Sequence, residues 1–490
     1  MSRYVLGIDQ STQGTKALLF DENGTLLCRT DLSHRQIIDE KGWVEHDPEE
    51  IYANTIQVVK NLVEKAGIDK NDLAVLGISN QRETAVCWDK ETGKPVYNAI
   101  VWQCARGAAI CKEIEADGKA DAIREKTGLP LSPYFSAAKL AWIFRNVEGV
   151  RERAKKGKIA VGTVDSWLVF CLTGGRFQTD YSNASRTQLF NIRTLSWDPF
   201  LLEAFGIDAS CMAAVTDSDG DYGETDFDGY LDHKIPIRGV MGDSHGALFG
   251  QGCQKPGMIK ATYGTGSSIM MNVGDRPVFS DKGLAASLAY GLHGKVSYVL
   301  EGNINYTGAV ISWLKNDLKL IGDASETEAL ARSANPGDHA YLVPAFSGLG
   351  APYWDSDARA AIVGMTRTTG RAEVVRAALD CIAYQITDIV KAMGESAGLP
   401  ITELRVDGGP TRNAYLMQLQ SDLLDIPVRI PDSEELSGIG AAYAAGLAQG
   451  IYTEDVFQVL KRSSYTPDMT PEVRTEKYEG WKEAVQRVRS

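Results

Sequence analysis

One succession of structural elements is repeated in this chain of 490 residues, and it restricts the possible folds more than any other feature. In the first copy, a strand-like run over residues 4–9 ends in an acidic residue, and a polar turn leads to a second strand over 16–20 and then to a third. In the second copy, a strand over 237–240 is followed by an acidic turn, an apolar stretch, a strand over 259–263, a glycine turn and a strand over 269–273. Helical patterns alternate with strands elsewhere, so we predict an α/β protein with two analogous halves.

The length agrees with this duplication, because 490 residues are too many for one ordinary hydrophobic core. We predict one domain over residues 1–248 and a second over 249–490, with the boundary in the region 246–254. No low-complexity linker separates them, so the two halves should share a substantial interface and a cleft.

Local signals predict several elements within this frame. Asp47 is a favoured cap residue and Pro48 suits a first helical turn, so an amphipathic helix should run from there to about Ala66. A strand is predicted over 74–78, a helix over about 373–395 and a strand over 404–406. The helix predicted over about 438–448 is rich in small residues, which suits close packing.

The composition excludes several classes of protein. Apolar residues make up 44% and charged residues 23%, which is typical of a soluble globular chain. The net charge of −13 disfavours a nucleic-acid or anionic-membrane partner. The eight cysteines are scattered without a CxxC pair, and no leader or membrane-spanning run is visible, so we expect a reduced, cytoplasmic protein.

Two acidic turns are candidates for a reaction centre. Asp9 ends a strand and precedes a turn of hydroxyls and one glycine, which can direct N–H and O–H donors at a phosphate while the carboxylate holds Mg²⁺. Asp243 lies between a strand and a helix start, where it can serve as the general base of a phosphoryl transfer. The structural alternatives are a plain hairpin whose turn amides Asp9 satisfies, and a helix cap formed by Asp243.

Two glycine turns in the second half suit a nucleotide. One is a glycine-flanked hydroxyl turn at Gly264-Thr265-Gly266. In the other, Gly408 and Gly409 follow a strand and allow close backbone approach to a flat ligand such as adenosine. The alternative for the second turn is a simple strand-to-helix connection.

A further group of side chains suits a polyol, which has both hydroxyl groups and CH edges. Arg82 and Glu83 supply hydrogen-bond donors and acceptors, and Trp102 and Tyr134 supply an apolar wall. The alternatives are a surface ion pair of little energetic value for Arg82 and Glu83, and core packing for Trp102.

Longer segments accompany these motifs, namely residues 42–48, 80–84, 97–104, 134–136 with Lys139 and Trp142, 179–181, 183–186 and 344–354. Taken together and in this order, they resemble the FGGY carbohydrate kinases, and among them the glycerol kinases, over nearly the whole chain. The resemblance implies two ribonuclease-H-like domains of the actin/Hsp70/sugar-kinase superfamily that close around an interdomain cleft. ATP would lie mostly on the C-terminal half and the substrate mostly on the N-terminal half.

The resemblance also implies roles for individual residues, with ATP and Mg²⁺ as cofactors. Asp243 matches the catalytic base, and Asp9 and Asp243 would lie at the metal. The substrate contacts implied are Arg82, Glu83, Trp102, Tyr134, Asp243, Ser244 and Ser268. The nucleotide contacts implied are Thr12, Gln13, Gly14, Lys16, Gly264, Thr265, Gly308, Ser312, Gly409 and Asn413.

Several of these positions depart from the glycerol kinase pattern. Lys16 stands where arginine is common, which keeps the charge but loses the planar fork. Ser244 replaces a glutamine that contacts glycerol, and Ser268 replaces a phenylalanine beside the glycerol backbone. On the nucleotide side, the departures are Gln13 and Gly14, for a threonine and a serine, and Ser312, for a glutamine.

The two serines on the substrate side predict a larger and wetter pocket. Such a pocket favours a four- or five-carbon polyol or ketose, for example erythritol, ribulose or xylulose, because a site built for an extra hydroxyl discriminates against analogues that lack it. The alternative is that neighbouring side chains refill the space and glycerol remains the substrate. His245 either binds a distal hydroxyl or packs inside, and we prefer packing.

Two other functions fit the same superfold. One is a non-kinase ATPase, against which the polyol-type side chains argue, and the other is a sugar-sensing regulator, which normally adds a DNA-binding helix-turn-helix. We therefore predict a kinase whose partner is a small polyol or sugar, with no nucleic acid or membrane partner. Homo-oligomers of two or four copies are common in the family. The segment 228–234 does not reproduce the Gly/Arg loop through which some glycerol kinases are regulated.

Overall fold

The computed structural model describes residues 3–489, which form two large mixed sheets with helices around and between them. The strands of the first half are β1 Tyr4–Gln10, β2 Gly14–Phe20, β3 Leu26–Ser33, β4 Ile37–Ile38, β5 Val44–His46, β6 Leu73–Asn80, β7 Val86–Asp89, β8 Ala99–Ile100, β9 Ile159–Gly162, β10 Gln178–Asp180, β11 Phe190–Asn191, β12 Ser196–Trp197, β13 Ala214–Thr216, β14 Glu224–Thr225 and β15 Ile235–Gly242. Its helices are α1 Pro48–Ala66, α2 Ala108–Ala116, α3 Ala120–Thr127, α4 Ser136–Asn146, α5 Val150–Lys155, α6 Val164–Thr173, α7 Tyr181–Ala184, α8 Pro199–Phe205 and α9 Asp243–Gly250.

The second half contains fewer and longer elements. Its strands are β16 Ile259–Tyr263, β17 Ser267–Gly274, β18 Ala285–Leu292, β19 Lys295–Ile304, β20 Tyr341–Val343, β21 Ala361–Val363, β22 Leu404–Asp407, β23 Val428–Pro431 and β24 Arg462–Tyr465. Its helices are α10 Gly308–Asn316, α11 Glu326–Ser333, α12 Arg371–Ala397, α13 Ala414–Leu424, α14 Leu436–Ala448 and α15 Pro471–Val488.

The two large sheets repeat one topology. The first has six strands in the order β14-β15-β6-β1-β2-β3, and the second has seven in the order β18-β19-β17-β16-β22-β23-β24. In the first, β1 pairs antiparallel with β2 and parallel with β6; in the second, β16 pairs antiparallel with β17 and parallel with β22. The predicted α/β fold of two analogous, ribonuclease-H-like halves is confirmed.

The local signals also hold. Helix α1 begins after Asp47, whose side chain accepts a hydrogen bond from the backbone N–H of Glu49, and it ends at Gly67 with a φ of 66°. The strand predicted over 74–78 is β6, the helix over 373–395 is α12, and the strand over 404–406 is β22. The observed β6 and α12 extend the predicted ranges by one or two residues at each end, and β22 extends its range by one residue at the C-terminal end.

Helices α9 and α14 lie between the two sheets and join the halves. A Cβ added at Gly440 of α14 would lie 1.9 Å from the carbonyl oxygen of Gly246 in α9, and one at Gly77 of β6 would lie 2.2 Å from that of Ala441. The small residues predicted for α14 therefore allow backbone-to-backbone packing against the first sheet. The substantial interface expected from the absence of a linker is present. The division after residue 248 stays a prediction, and it falls inside α9.

Two predictions from the composition concern the cysteines and a membrane-spanning segment. The eight cysteines are free thiols. Within residues 3–489, no helix combines the length and the apolar composition needed to cross a bilayer.

Candidate active site

Asp243 lies where β15 gives way to α9, the helix that packs between the two sheets. The helix cap is Gly242, and Asp243 is the first helical residue, so the alternative role of Asp243 as the cap is wrong. Its Oδ1 accepts a hydrogen bond from the backbone N–H of Ser244 at 2.6 Å and lies 3.2 Å from Nε of Arg82. The side chain is 36% exposed. A Cβ at Gly242 would lie 2.6 Å from Cγ of Arg82, so glycine is required there for Arg82 to approach.

Arg82 belongs to a buried cluster of four charged side chains. Glu301 of β19 accepts hydrogen bonds from both terminal nitrogens of Arg82, at 3.0 and 3.1 Å. Arg186 donates from Nε to Glu83 at 2.6 Å, and its second contact to Glu301 is 3.0 Å. The four side chains are at most 5% exposed. The surface ion pair considered for Arg82 and Glu83 is therefore wrong, because the pair is part of the interior.

The cluster is balanced in charge and links the two halves. Burial opposes ionisation of Glu301, but Arg186 and Arg82 outweigh it and hold the pKa of Glu301 well below its usual range. Glu83 has a φ of 60°, a left-handed conformation that is uncommon outside glycine and is enriched at functional sites. Removing one partner of such a cluster leaves a buried charge uncompensated, so the other three groups hold Arg82 firmly in its place beside Asp243.

Sequence reasoning missed two members of this cluster. Arg186 lay in a segment that carried the family resemblance, but it was given no role, and Glu301 was not singled out at all. The available signal for Glu301 is its position in a strand that is otherwise apolar on either side, at Val299, Leu300 and Gly302. A carboxylate in such a run needs a cationic partner elsewhere in the fold.

Trp102 and Tyr134 form an aromatic wall on the first half. Their rings meet edge to face with centroids 5.5 Å apart, and both side chains are half-buried, so the core-packing alternative does not describe Trp102. The indole Nε1–H of Trp102 donates to the hydroxyl of Thr12 at 2.9 Å, which connects this wall to the first turn. The buried ammonium of Lys139 donates to the backbone carbonyls of Pro133 and Tyr134 and so fixes the loop that carries Tyr134.

Asp9 ends β1 as predicted and lies almost completely buried. Among the hydrogen bonds of residues 3–489, its Oδ1 has no partner, so the hairpin alternative, in which Asp9 satisfies turn amides, is not observed. Burial raises the pKa of Asp9 to about 6, partly offset by Lys16 and reinforced by Asp243. Lys16 lies 4.0 Å from Asp9 and 2.7 Å from Glu435, which also binds Arg29.

The turn after Asp9 is closed by its own backbone. The N–H of Ser11 donates to the carbonyl oxygen of Gly14 at 2.8 Å. The carbonyl oxygen of Gln13 accepts from the backbone N–H of His34, and that of Thr12 accepts from the side-chain amide of Gln36. A Cβ at Gly14 would lie 2.4 Å from the carbonyl oxygen of Leu32, which explains the glycine.

The turn Gly264-Thr265-Gly266 joins β16 to β17 and supports the start of α10. Both Gly264 and Thr265 are exposed. Their carbonyl oxygens accept the backbone N–H groups of Gly308 and Thr307, at 2.9 and 3.0 Å. A Cβ at Gly308 would lie 2.7 Å from the carbonyl oxygen of Gly264. The turn and the helix N-terminus are thus brought together as one rigid unit.

A cavity of about 520 Å³ opens beside this unit, and it brings together four residues that the sequence associated with a nucleotide: Gly308, Ser312, Gly409 and Asn413. Its apolar floor includes Leu379 and Ile382 of α12. A Cβ at Gly408, with a φ of 99°, would lie 2.0 Å from the carbonyl oxygen of Tyr263. A flat apolar ring with polar edges suits a cavity of this size and lining.

The residues that depart from the glycerol kinase pattern fall in two places. Ser244 is partly exposed beside Asp243, and Ser268 lies in β17 opposite Thr262 and Asn303. His245 is fully buried, with Nε2 at 3.4 Å from the hydroxyl of Ser287, so it packs inside as preferred above. Burial lowers the pKa of His245 well below its usual value, which keeps it neutral.

The molecule has two related sheets, a glycine-lined cavity on one half, and a carboxylate beside charged and aromatic side chains on the other. This arrangement defines a two-domain phosphotransferase of the actin-like class. The FGGY family of carbohydrate kinases matches the chain with its N-terminal domain over residues 4–250 and its C-terminal domain over 259–449. The chain therefore belongs to the FGGY family of carbohydrate kinases, and it is an ATP-dependent kinase. The non-kinase alternatives are not favoured.

Individual relatives agree with this assignment. The chain is 51% identical over 489 residues to glycerol kinase 1 of Thermotoga maritima, covering 99% of each chain. It is similar to the crystal structure of Plasmodium falciparum glycerol kinase with ADP, with a TM-score of 0.94, 36% identity and coverage of 99% of this chain and 98% of that one. A ligand-bound xylulose kinase from Lactobacillus acidophilus has a TM-score of 0.89 at 22% identity, covering 99% of this chain and 97% of that one, which is a likeness of fold.

Proposed function

We propose that this protein transfers the terminal phosphoryl group of ATP to a terminal hydroxyl of a small polyol, with Asp243 as the general base. The observation that carries this proposal is the asymmetry of the Asp243 carboxylate. Its Oδ1 takes the contacts from Arg82 and Ser244, and within residues 3–489 no hydrogen bond engages Oδ2. The second oxygen is therefore left to accept a proton from a substrate hydroxyl, which is the step a phosphoryl-transfer base performs.

The neighbouring groups suit the carbon chain of a polyol. Arg82 lies beside Asp243 and Glu83 lies beside Arg82, and both supply charged hydrogen-bonding groups, while Trp102 and Tyr134 supply an apolar face for the CH edges. Because all four are fixed by contacts within the protein, the substrate meets a wall that is already ordered, which favours correct orientation of the reacting hydroxyl.

The nucleotide would lie across the C-terminal half. Its adenosine suits the 520 Å³ cavity at Gly308, Ser312, Gly409 and Asn413. The phosphates would lie between the two turns, and the residues we assign to them are Thr12, Gln13, Gly14, Lys16, Gly264 and Thr265. Closure of the cleft around both substrates would exclude water and limit ATP hydrolysis.

Asp9 and Asp243 fit the Mg²⁺ ion that such a transfer requires. The unpartnered buried Oδ1 of Asp9 is a carboxylate oxygen of the kind Mg²⁺ binds. The described residues contain no group of three or more His, Cys, Asp or Glu side chains arranged for a metal, so most ligands would be water and phosphate oxygens, as is usual for Mg²⁺. When bound, the ion would neutralise charge on the transferred phosphoryl group.

Two observations bear on the size of the substrate. Ser244 and Ser268 are both partly exposed residues, and they support a pocket for a four- or five-carbon polyol or ketose. The hydroxyl oxygen of Ser268 is itself buried, and within residues 3–489 it has no hydrogen-bond partner, so it is available to a substrate hydroxyl. The second candidate is glycerol, and the names of the curated relatives favour it. An assembly of two or four copies remains a further proposal.

A kinetic panel separates the two candidates. The value of kcat/KM would be measured for glycerol, erythritol, ribulose and xylulose at saturating MgATP. A clear preference for glycerol would refute the enlarged pocket and leave the kinase assignment intact.

The role of Asp243 has its own test. The Asp243→Asn variant should lose nearly all turnover and retain ATP affinity, because an amide keeps the shape and cannot accept the proton. Asp31→Asn provides the control, since it makes the same change at a carboxylate that is 62% exposed and has no role in the proposed site, and it should retain turnover. Near-normal turnover in Asp243→Asn would remove Asp243 from the role of base.

A further inference from the structure

Asn303 lies on β19 of the second sheet, and neither its position nor its residue type was singled out from the sequence. In the antiparallel pair β17–β19, Ser268 lies opposite Asn303 and Met270 lies opposite Glu301. Directly opposite residues, and residues two apart on one strand, project from the same face of a sheet. Since Glu301 reaches Arg82 and Arg186 of the other half, this face is the one turned towards the substrate wall.

The amide of Asn303 has a defined orientation. Its Nδ2 donates to Oε1 of Glu301 at 3.2 Å, and the same oxygen accepts from Arg82 at 3.1 Å. The low pKa of Glu301 keeps this carboxylate ionised, so it accepts hydrogen bonds and cannot donate them. The amide nitrogen therefore points at Glu301, and the carbonyl oxygen of the exposed Asn303 is left as an acceptor.

Ser268 supplies the complementary group. Its hydroxyl is buried, and within the part of the chain that the structure describes it has no hydrogen-bond partner. Buried polar groups are nearly always paired, so an unpaired one needs an explanation, and a ligand hydroxyl is one. A single alcohol group donates one hydrogen bond and accepts others. The amide oxygen of Asn303 can accept from it, and the hydroxyl of Ser268 can donate to it.

We propose that Asn303 and Ser268 together bind a distal hydroxyl of the polyol substrate, with Asn303 Oδ1 accepting its proton and Ser268 Oγ donating to its oxygen. This inference rests on the proposed kinase function and deepens it. The contacts run from Asp243 through Arg82 and Glu301 to Asn303, so the hydroxyl bound here belongs to the end of the substrate remote from the one that is phosphorylated. The two residues thereby determine specificity for chain length.

The test compares two substrates in two variants. In Asn303→Ala and Ser268→Ala, kcat/KM for erythritol should fall by about ten- to hundredfold, since each variant removes one hydrogen bond and leaves a partner unpaired. The value for glycerol should change less than about twofold, because glycerol lacks the distal group. Asn146→Ala, at an exposed asparagine that ends α4, is the matched control and should leave both values unchanged.

The ratio between substrates is the decisive quantity, because a merely structural role would lower both values together. A wild-type protein that does not use erythritol, or variants that keep the wild-type ratio, would overturn the inference alone. A wild-type protein that phosphorylates no polyol would overturn the proposed function as well. Thermal unfolding of each variant shows that a changed ratio does not arise from a misfolded fraction.

Discussion

Replacing Asp9 with asparagine should stabilise the protein at alkaline pH while removing activity. Asp9 is 6% exposed, and burial raises its pKa from 3.8 to about 6. A shift of about 2 pKa units corresponds to about 3 kcal/mol of unfavourable interaction with the ionised form. The raised pKa means that the folded state binds more protons than the unfolded state between these two values. Stability from this group is thus fully present below about pH 4 and is lost as pH rises through about 6.

The asparagine variant has no charge to bury, so it should unfold at a higher urea concentration than the wild type at pH 8. The expected gain in unfolding free energy is up to about 3 kcal/mol at pH 8 and should shrink towards zero near pH 4. The measurement is urea unfolding followed by tryptophan fluorescence at several pH values, without Mg²⁺ or nucleotide. Asp31→Asn is the matched control, because this carboxylate is 62% exposed and should change stability by less than about 0.5 kcal/mol.

Two results would refute this reasoning. One is an Asp9→Asn variant that is no more stable than the wild type at pH 8, and the other is a gain that does not depend on pH. The same variant should show little phosphoryl transfer, since the proposed metal ligand is gone. A protein that carries a destabilising ionised group at its reaction centre would then be giving up stability for function.

Two further perturbations test the cluster and the wall. Glu301→Ala should lower the unfolding free energy by about 3–5 kcal/mol in thermal or urea unfolding, since it leaves two arginines buried without their partner; a loss as small as that of the exposed Glu49→Ala would contradict the burial argument. Trp102→Phe keeps the apolar wall and removes the hydrogen bond to Thr12, so the KM for ATP should rise about two- to tenfold. An unchanged KM for ATP would show that this hydrogen bond does not position the phosphate turn.

Much of the fold follows from local chemistry. The cap at Asp47 and the left-handed Gly67 define both ends of α1, and both are short-range signals. The repeated strand and turn order predicted the duplicated topology because each strand, turn and strand unit folds within about twenty residues. Four of the ten predicted nucleotide residues likewise line one cavity, since turns at the ends of neighbouring strands meet at one edge of a sheet.

The sequence by itself therefore determined the two halves, the succession of strands along each of them, and the acidic and glycine turns at the strand ends. Only the tertiary structure decided which distant charges meet. Arg82 and Glu301 are 219 residues apart, and no local pattern states that they pair. Pairing of this kind depends on how two sheets pack across α9 and α14, where backbone contacts between small residues set the distance. The same packing brings Asn303, which lies two residues from Glu301 on β19, close to this pair, because burial of a charge forces its partner, and the strand that carries it, to lie at hydrogen-bonding distance.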